Sequence, residues 1–391
     1  MAVDISELAG ASYFSALYRS GYLQVLHERG LDDEAQEQIE TILPLAVHYN
    51  SAPIQGICLL LSAQLAFDRG DEAKGLGTLR EAFGLLATRG ANFVLWWWRP
   101  GLLADLCVRA LNAEIEIRYI RELIKALCLE PSELPVACRR WPWPITVKML
   151  GPLEILINDE PMRFSGKAQQ KPLDLLRILV AFGGEGVAVA SVAEKLWPQA
   201  DGDSAHCAFD VTLHRLRKLL GSDSAIVLSD GRLSLNTYKV WVDVFAFERL
   251  IDQIRKLERE GAAASGVVDT LAEHALLLYG GHFLEHEGDE PWMLPMRERL
   301  RQRFQNFIFR LGQALEQGGH WVRAERLYRR GLETDALAES LYQRLMVCHR
   351  GQGRRAEAME VYRRCRTMLS VVLGASPSVE TNSLFAVLQN G

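Results

Sequence analysis

The sequence predicts a mainly α-helical protein with a small β component near its middle. Three observations support this fold class. Apolar residues recur at helical spacing through most of the 391 residues, which marks one buried face on each helix. Between residues 145 and 157 the period changes to alternation, as is typical of strands. Further on, Asp230-Gly231 separates two short alternating runs, the pattern of a β-hairpin.

Residues 1–138 are predicted to form a helical-repeat, solenoid-like domain. Gly, Asn or Pro separates the helical segments, which are expected at 23–29, 34–49, 54–69, 72–88 and 102–111. Arg29-Gly30 recurs as Arg69-Gly70 before an acidic helix start, which favours stacked helical hairpins. The cluster at 96–98 consists of three tryptophans and has two interpretations, burial between helices and the lining of a ligand or partner groove.

A linker and a small sheet are predicted next. The stretches 130–135 and 141–144 contain several prolines, and each proline removes a backbone donor and restricts the residue before it. The alternation that follows, with Asn158-Asp159 as a turn signal, predicts an antiparallel sheet.

Two short helices are expected after this sheet. The first is predicted to begin near Lys171, with Pro172 tolerated in its first turn. Ser191 and Glu194 have the spacing of a capping box for the second, which Trp197 and the proline after it are expected to end.

The segment 203–221 is predicted to be an amphipathic helix that lies in a DNA groove. One face is apolar at i, i+4, i+7 and i+11: Phe209, Leu213, Leu216 and Leu220. The opposite face carries Val211, His214, Arg215 and Lys218. Arginine can bind the paired acceptors of guanine, and valine can contact a thymine methyl group. The alternative interpretation is a solvated helix end whose cations favour the C-terminal dipole.

A hairpin at 225–236 follows this helix, and Arg232 lies at or beside its tip. A helix with a polar outer face followed by a hairpin with a basic tip is the winged-helix arrangement, in which the helix enters the major groove and the hairpin contacts the backbone. Arg217 falls on the flank of the helix, where a phosphate contact or an ion pair with Asp210 suits it.

The order of sheet, three helices and hairpin resembles the DNA-binding domain of OmpR-type response regulators, and 210–218 is similar to that family's recognition helix. The segment 150–155, the pair 166–167, the run 196–198 and the Arg-Leu-Arg segment more specifically resemble the Streptomyces antibiotic regulatory proteins and related bacterial transcriptional activators. That resemblance implies recognition of directly repeated promoter DNA and contact with RNA polymerase.

The resemblance also implies roles for individual residues. It implies that Arg215 reads a base and that Arg232 enters or borders the minor groove. The residues expected to contact phosphates or flank the groove are Thr212, Arg217 and Lys218, together with the cations Lys167 and Lys171. His214 stands where the family often has arginine, so the preferred DNA sequence stays open.

Residues 246–391 are predicted to form a tetratricopeptide-like helical domain. No turn signal follows Trp241, so the last strand is expected to lead almost directly into a helix. The segments 321–330 and 355–364 are related by a 34-residue shift, which is the tetratricopeptide period. The segment 279–284 and the residues after it resemble the bacterial transcriptional activator domain of these regulators, namely Trp292, Arg297 and Leu300.

One motif suggests an enzyme. His282, Glu285 and His286 have the H-x-x-E-H order of inverted zinc proteases, which need two imidazoles one helical turn apart. Glycines at 280, 281 and 288 disfavour a regular helix there. Lys167 follows a glycine but lacks the earlier glycine of a phosphate loop. We therefore expect no catalytic site, no metal and no cofactor.

Charge and cysteine usage limit the interpretation. The net charge is −5, and residues 145–245 hold eleven Lys and Arg against twelve Asp and Glu. DNA binding must therefore come from the placement of cations on one face, and non-specific affinity is expected to be modest. Seven scattered cysteines without C-x-x-C fit reduced thiols, and no signal peptide or membrane span is expected.

These observations predict a cytoplasmic, nucleoid-associated bacterial transcriptional activator with domains at 1–138, 145–245 and 246–391. Double-stranded promoter DNA is its expected partner, and the helical domains are expected to mediate homodimerisation, effector sensing or polymerase contact. A nucleotide-binding module often precedes such regulators, so the chain is interpreted as a shortened relative or a fragment. The alternative function is a protein-interaction scaffold whose winged helix no longer binds DNA, which the near-neutral central region favours.

Overall fold

The computed structural model describes residues 12–390, except 91–98, 134, 136, 137, 139, 164–169, 201, 261–265 and 289. The chain divides into two compact units, 1–144 and 145–391. Among the described residues, helices dominate both units, and every strand lies between residues 145 and 242. The predicted fold class, mainly α with a small β component, is confirmed.

The first unit is helical wherever it is described. Its helices are α1 (Ser12–Glu28), α2 (Asp32–His48), α3 (Ala52–Asp68), α4 (Glu72–Arg89), α5 (Pro100–Asn112) and α6 (Ile117–Leu127). The helical prediction is confirmed, although α1 begins well before the expected start at Leu23. The tryptophan cluster at 96–98 lies outside the described residues.

The two recurring Arg-Gly pairs end their helices in the same way. Gly30 and Gly70 have φ values of +72° and +77°, a left-handed conformation that glycine adopts without a Cβ penalty. The amides of Leu31 and Asp71 then donate to carbonyls five residues earlier, at 3.0 and 2.9 Å. The repeated pair therefore encodes two equivalent helix C-caps.

Two small sheets lie in the second unit. The first joins β1 (Ile145–Lys148), β2 (Glu154–Ile157), β3 (Glu160–Pro161) and β7 (Val240–Val242) in the order β3-β2-β1-β7. The antiparallel pairing of β1 with β2 is confirmed, and Asn158 and Asp159 form the expected turn with positive φ. The parallel pairing of β1 with β7 was not predicted. The second sheet has the order β4 (Val187–Ala188), β6 (Arg232–Leu235), β5 (Ile226–Ser229).

Among the described residues between β3 and β5 there are three α-helices. They are α7 (Gln170–Ala181), α8 (Val189–Leu196) and α9 (Gly202–Leu219). The capping box predicted at Ser191 is wrong, because α8 begins at Val189 directly after β4. The N-cap position belongs to Ala188 and has no side-chain hydrogen bond. Trp197 ends the helix as expected.

The rest of the second unit is helical apart from its connections. The helices are α10 (Asp243–Arg259), α11 (Gly266–Leu278), α12 (Leu294–Gln317), α13 (Trp321–Thr334), α14 (Glu339–Gly351), α15 (Arg355–Leu373) and α16 (Val379–Asn390). Strand β7 leads into α10 without an intervening residue, which confirms the expected direct connection.

The 34-residue repeat places equivalent residues in equivalent packing positions. Ala324 and Ala358 are both fully buried. Tyr328 and Tyr362, each four residues later, are buried as well. A Cβ on Gly312 of α12 would overlap the Tyr328 ring, so this glycine permits the close approach of α12 and α13. Tyr362 instead stacks on Phe385 of α16, with ring centroids 3.9 Å apart. Small residues and tyrosines at this spacing thus determine how the helices pack.

The segment after α11 is bonded to the end of β1. The Gly151 amide donates to the His282 carbonyl (3.0 Å), the Leu284 amide donates to the Met149 carbonyl (2.8 Å), and the Glu285 amide donates to the Gly151 carbonyl (3.0 Å). Arg297 of α12 donates to the carbonyls of Phe283 and Leu284. These contacts connect the region around the first sheet to the helices that follow it.

The same segment does not have the geometry of a helical zinc motif. Residues 280–288 form turns and an isolated bridge, and Leu284 and His286 have φ values of +51° and +69°. His282 and His286 therefore do not lie one helical turn apart. Within the described part of the chain, no cluster of three or more His, Cys, Asp or Glu side chains is arranged to hold a metal.

Candidate nucleic-acid interface

The helix α9 buries one face and exposes the other. Phe209 and Leu216 have no exposed surface, and Leu213 and Leu220 are at most 3% exposed. These four residues have the spacing that the sequence predicted for the buried face, and they pack this helix onto the unit. The remaining face of α9 is directed to solvent.

Four of the predicted site residues lie together on this solvent face. They are Val211, His214, Arg215 and Lys218, and all four are exposed. Val211 is 50% exposed, which is unusual for an apolar side chain on a helix with a well-packed opposite face. Cys207 continues the same exposed row one turn earlier. This row combines an imidazole, a guanidinium, an ammonium group and a small apolar group, which can contact base edges and phosphates.

The hairpin predicted at 225–236 is confirmed. Strands β5 and β6 pair with Ser229 opposite Arg232. Asp230 and Gly231 between them have φ values of +50° and +69°, as a two-residue type I′ turn requires. Val227 and Leu228 are 45% and 40% exposed on the hairpin. The hairpin therefore presents a polar tip and a partly apolar side to solvent.

The expectation for Thr212 is corrected by the structure. Thr212 is only 6% exposed, and its hydroxyl donates to the Ala208 carbonyl one turn earlier (2.7 Å). It lies at the edge of the buried face, next to Leu216 in the helical rotation. A phosphate contact from this side chain requires it to leave a buried position.

Three of the cations predicted to contact DNA are bound to backbone carbonyls. Arg217 donates to the Ile226 carbonyl through Nε (3.2 Å) and Nη2 (2.8 Å). Arg232 donates to the Gly186 carbonyl (2.8 Å), and Lys171 donates to the Leu196 carbonyl (2.7 Å). These bonds hold the hairpin, β4 and α8 in place, so the three side chains have a structural role. Lys167 lies outside the described residues.

Two buried charged side chains of the second unit have contacts that were not predicted. Arg177 of α7 is only 8% exposed and pairs with Asp174 and Glu287, each at 2.7 Å. Asp243, at the start of α10, accepts hydrogen bonds from the amides of Met149 and Leu150 at 2.8 to 2.9 Å. Burial raises the pKa of Asp243 to about 7, against the lowering effect of those amides. Its position in the first turn of a helix was the only sequence signal.

Residues 242–389 match the family described as the bacterial transcriptional activator domain. The match covers 148 of the 391 residues. The match begins at the last residue of β7 and covers the helices α10 to α16, so the resemblance inferred from the activator-domain residues is confirmed. This is a family of transcriptional regulators, and the second unit of the chain contains its activator domain.

The chain is also similar to the regulatory protein AfsR of Streptomyces griseus. The two sequences are 30% identical over 242 residues, which is 60% of this chain and 24% of that protein. The chain therefore spans about a quarter of the length of this curated relative. No helix among the described residues has the length and apolar character needed to cross a membrane.

Two solved structures align with the chain at low sequence identity. Mycobacterium tuberculosis EmbR in complex with a low-affinity phosphopeptide aligns with a TM-score of 0.48 and 22% identity, over 63% of this chain and 65% of that one. The tetratricopeptide domain of P58(IPK) aligns with a TM-score of 0.21 and 11% identity, over 96% of this chain and 97% of that one.

Proposed function

We propose that the chain is a DNA-binding transcriptional activator and that the outer face of α9 reads promoter DNA. The observation that carries this proposal is the exposed row of Val211, His214, Arg215 and Lys218 on one face of a helix whose opposite face is buried. An α-helix of this kind fits the width of the major groove. His214 and Arg215 then donate to base edges, and Lys218 contacts phosphate.

The hairpin supports the same binding geometry. Because Arg217 joins α9 to the first residue of β5, the helix and the hairpin have a fixed relationship. A helix in the major groove therefore brings the hairpin tip to the neighbouring backbone, where Arg232 has donors left beyond its one bond to Gly186. The activator domain then has RNA polymerase as its partner, and the match to the bacterial transcriptional activator domain supports a role in transcription.

Few cations are free to bind phosphate. Five of the cations predicted to contact DNA are described by the structure. Arg217, Lys171 and Arg232 each donate to a backbone carbonyl. Arg215 and Lys218 are exposed and have no such bond. Specific contacts must therefore supply most of the affinity, and binding to arbitrary DNA is weak.

A gel-shift titration tests this proposal. The full chain is titrated against the DNA upstream of its own gene, with an excess of unrelated competitor DNA. Arg215→Ala is expected to weaken binding by about 1–3 kcal/mol and to relax discrimination at one base pair. Arg249→Ala is the matched control, because Arg249 is an exposed arginine on α10 outside the proposed interface. No retardation at low salt, or equal losses in both variants, would contradict DNA readout by α9.

A protein-interaction scaffold is the second candidate function. The near neutrality of residues 145–245, with eleven basic and twelve acidic side chains, favours it. The exposed acid Asp210 on α9 adds to this, since it repels phosphate. In the scaffold, Val211 and the apolar residues of the hairpin contact a protein. Absence of DNA binding by the folded full chain would favour this function.

A further inference from the structure

The activator domain contains a cleft that the proposed DNA binding does not use. It has a volume of about 560 Å³, enough for a small organic molecule, and it lies among α13, α14 and α15. Its apolar lining comes from Leu332, Leu345 and Val361. The charged lining residues are Arg329, Glu333, Glu357, Glu360 and Arg364, and Tyr342 and His349 complete the wall.

His349 has an unsatisfied polar atom at this cleft. The side chain is 1% exposed, and its buried Nδ1 has no hydrogen-bond partner. The Glu357 carboxylate lies 3.3 Å from Nδ1, close enough for charge attraction but without hydrogen-bond geometry. That carboxylate favours the tautomer with its proton on Nδ1. A buried donor without an acceptor is costly, and a ligand oxygen would satisfy it.

The carboxylates of the cleft already have cationic partners. Glu333 pairs with Arg330, Glu357 with Arg354, and Glu360 with Arg363, each between 2.6 and 3.1 Å. The negative charges of these three carboxylates are therefore balanced by neighbouring arginines.

The two arginines of the cleft differ from each other. Arg329 pairs with Glu325 at 2.8 Å. Arg364 lies near the Tyr342 hydroxyl, which donates to the Ala336 carbonyl (3.0 Å). Among the described residues, no carboxylate forms an ion pair with Arg364. The guanidinium of Arg364 is thus the uncompensated charge of this cleft.

The sequence around the cleft also has a positive net charge. Residues 321–370 contain eleven arginines and six acidic residues, a balance of +5, in a chain whose net charge is −5. The rest of the chain therefore carries −10. A positive field around a cleft attracts anions and raises their local concentration.

We propose that this cleft binds a small organic anion, a carboxylate or phosphate ester with an apolar body. Arg364 pairs with the anionic group, His349 donates to it through Nδ1, and Leu345 and the neighbouring apolar side chains contact the body of the ligand. Since the site lies between helices of the activator domain, an occupied cleft stiffens the packing of α13 against α15. This function goes beyond DNA binding and does not depend on it.

Phenyl phosphate is a suitable probe for this site, with the full chain studied by calorimetric titration. Two comparison ligands are titrated in the same way: inorganic phosphate, which lacks the apolar body, and benzylamine, which has the opposite charge. Phenyl phosphate is expected to bind most tightly and to shift the ¹⁵N resonances of His349. Arg364→Ala should weaken its binding about tenfold, the worth of a charge-assisted hydrogen bond. Arg366→Ala, an exposed arginine on the same helix that does not line the cleft, should leave binding unchanged.

Several results would overturn this proposal. One is the absence of saturable phenyl phosphate binding by the folded protein. Equal weakening by Arg364→Ala and Arg366→Ala would show attraction to the arginine-rich surface in general. Benzylamine or inorganic phosphate binding as tightly as phenyl phosphate would show that charge and apolar body are not both recognised. His349→Gln is a second variant of the cleft, and its unfolding temperature is measured in parallel. If this variant loses phenyl phosphate binding but keeps the unfolding temperature of the wild type, the loss comes from the cleft and not from misfolding.

Discussion

The guanidinium of Arg217, on α9, donates two hydrogen bonds to the carbonyl oxygen of Ile226, the first residue of the hairpin. This contact crosses the turn that separates the helix from β5 and satisfies a carbonyl at the edge of the hairpin. It therefore fixes the distance between the two elements that the proposed DNA complex needs. Arg217 is a positioning residue in this account.

Substitution of Arg217 should affect folding and DNA binding together. Arg217→Ala leaves the Ile226 carbonyl with water only and is expected to lower the free energy of unfolding by about 1–2 kcal/mol. DNA affinity should also fall, because the hairpin is no longer held at a fixed distance from α9. Urea unfolding and gel-shift titration of the same preparation measure both effects. An unchanged stability would show that the two hydrogen bonds contribute nothing.

Lys218 provides the complementary case. It is exposed on α9, with no partner among the described residues. Lys218→Ala should therefore leave the unfolding free energy unchanged while it removes one phosphate contact. Affinity is expected to fall equally for specific and unrelated DNA, and the slope of log K against log salt should decrease by about 1. A loss confined to the specific sequence would instead assign Lys218 to base readout.

The burial of Asp243 should make the free energy of unfolding depend on pH. Its pKa is raised from 3.8 to about 7 because the carboxyl group is buried. The folded state then binds a proton that the unfolded state releases, so the stabilisation is complete below pH 3.8 and is lost as the pH rises through 7. Between these values, the unfolding free energy of the wild type relative to Asp243→Asn should fall by about 1.4 kcal/mol per pH unit.

The other titrating groups are the same in the wild type and in Asp243→Asn, so their contributions cancel in the difference between the two unfolding free energies. Denaturation of both proteins is followed at several pH values between 4 and 8. A difference that stays flat or grows with pH would mean that the amide hydrogen bonds of Met149 and Leu150 outweigh burial and that the carboxylate is the stable form.

Gly312 tests the packing of the repeat helices. Gly312→Ala places a Cβ against the Tyr328 ring, whose hydroxyl is held by the Glu316 carboxylate at 2.6 Å. Because this ring has little freedom to move, the substitution should destabilise by about 1–3 kcal/mol. Gly84→Ala is the control, since its Cβ meets no atom within 4 Å in helix α4. There, the helix propensity of alanine should stabilise by about 1 kcal/mol. Both are measured by urea denaturation.

Local patterns in the sequence predicted the elements of the interface well. The spacing of Phe209 and Leu216 identified the buried face of α9, and Asp230-Gly231 identified the hairpin turn. Both signals depend on neighbours within a few residues, where helical period and turn conformation are dictated by local sterics. The exposed positions of His214 and Arg215 follow from the same period.

Contacts between distant parts of the chain were not predictable from these patterns. The carbonyl partners of Arg217 and Arg232 depend on tertiary packing, so the sequence predicted neither hydrogen bond. The parallel pairing of β1 with β7 joins residues 95 positions apart, such as Ile145 and Val240. Ser191 failed as a helix cap because β4 ends directly before α8, a strand too short for alternation to reveal.

The reactivity of Cys207 tests the central claim most directly. Cys207 lies one turn before Val211 on the exposed face of α9, and Cys128 is an exposed cysteine in the other unit that serves as an internal control. Alkylation of both thiols by iodoacetamide is followed by mass spectrometry, with and without a saturating amount of the DNA upstream of the gene. DNA is predicted to slow the alkylation of Cys207 severalfold and to leave Cys128 unchanged. Alkylation of Cys207 at its free rate in the presence of that DNA would contradict the claim that this face of α9 enters the groove.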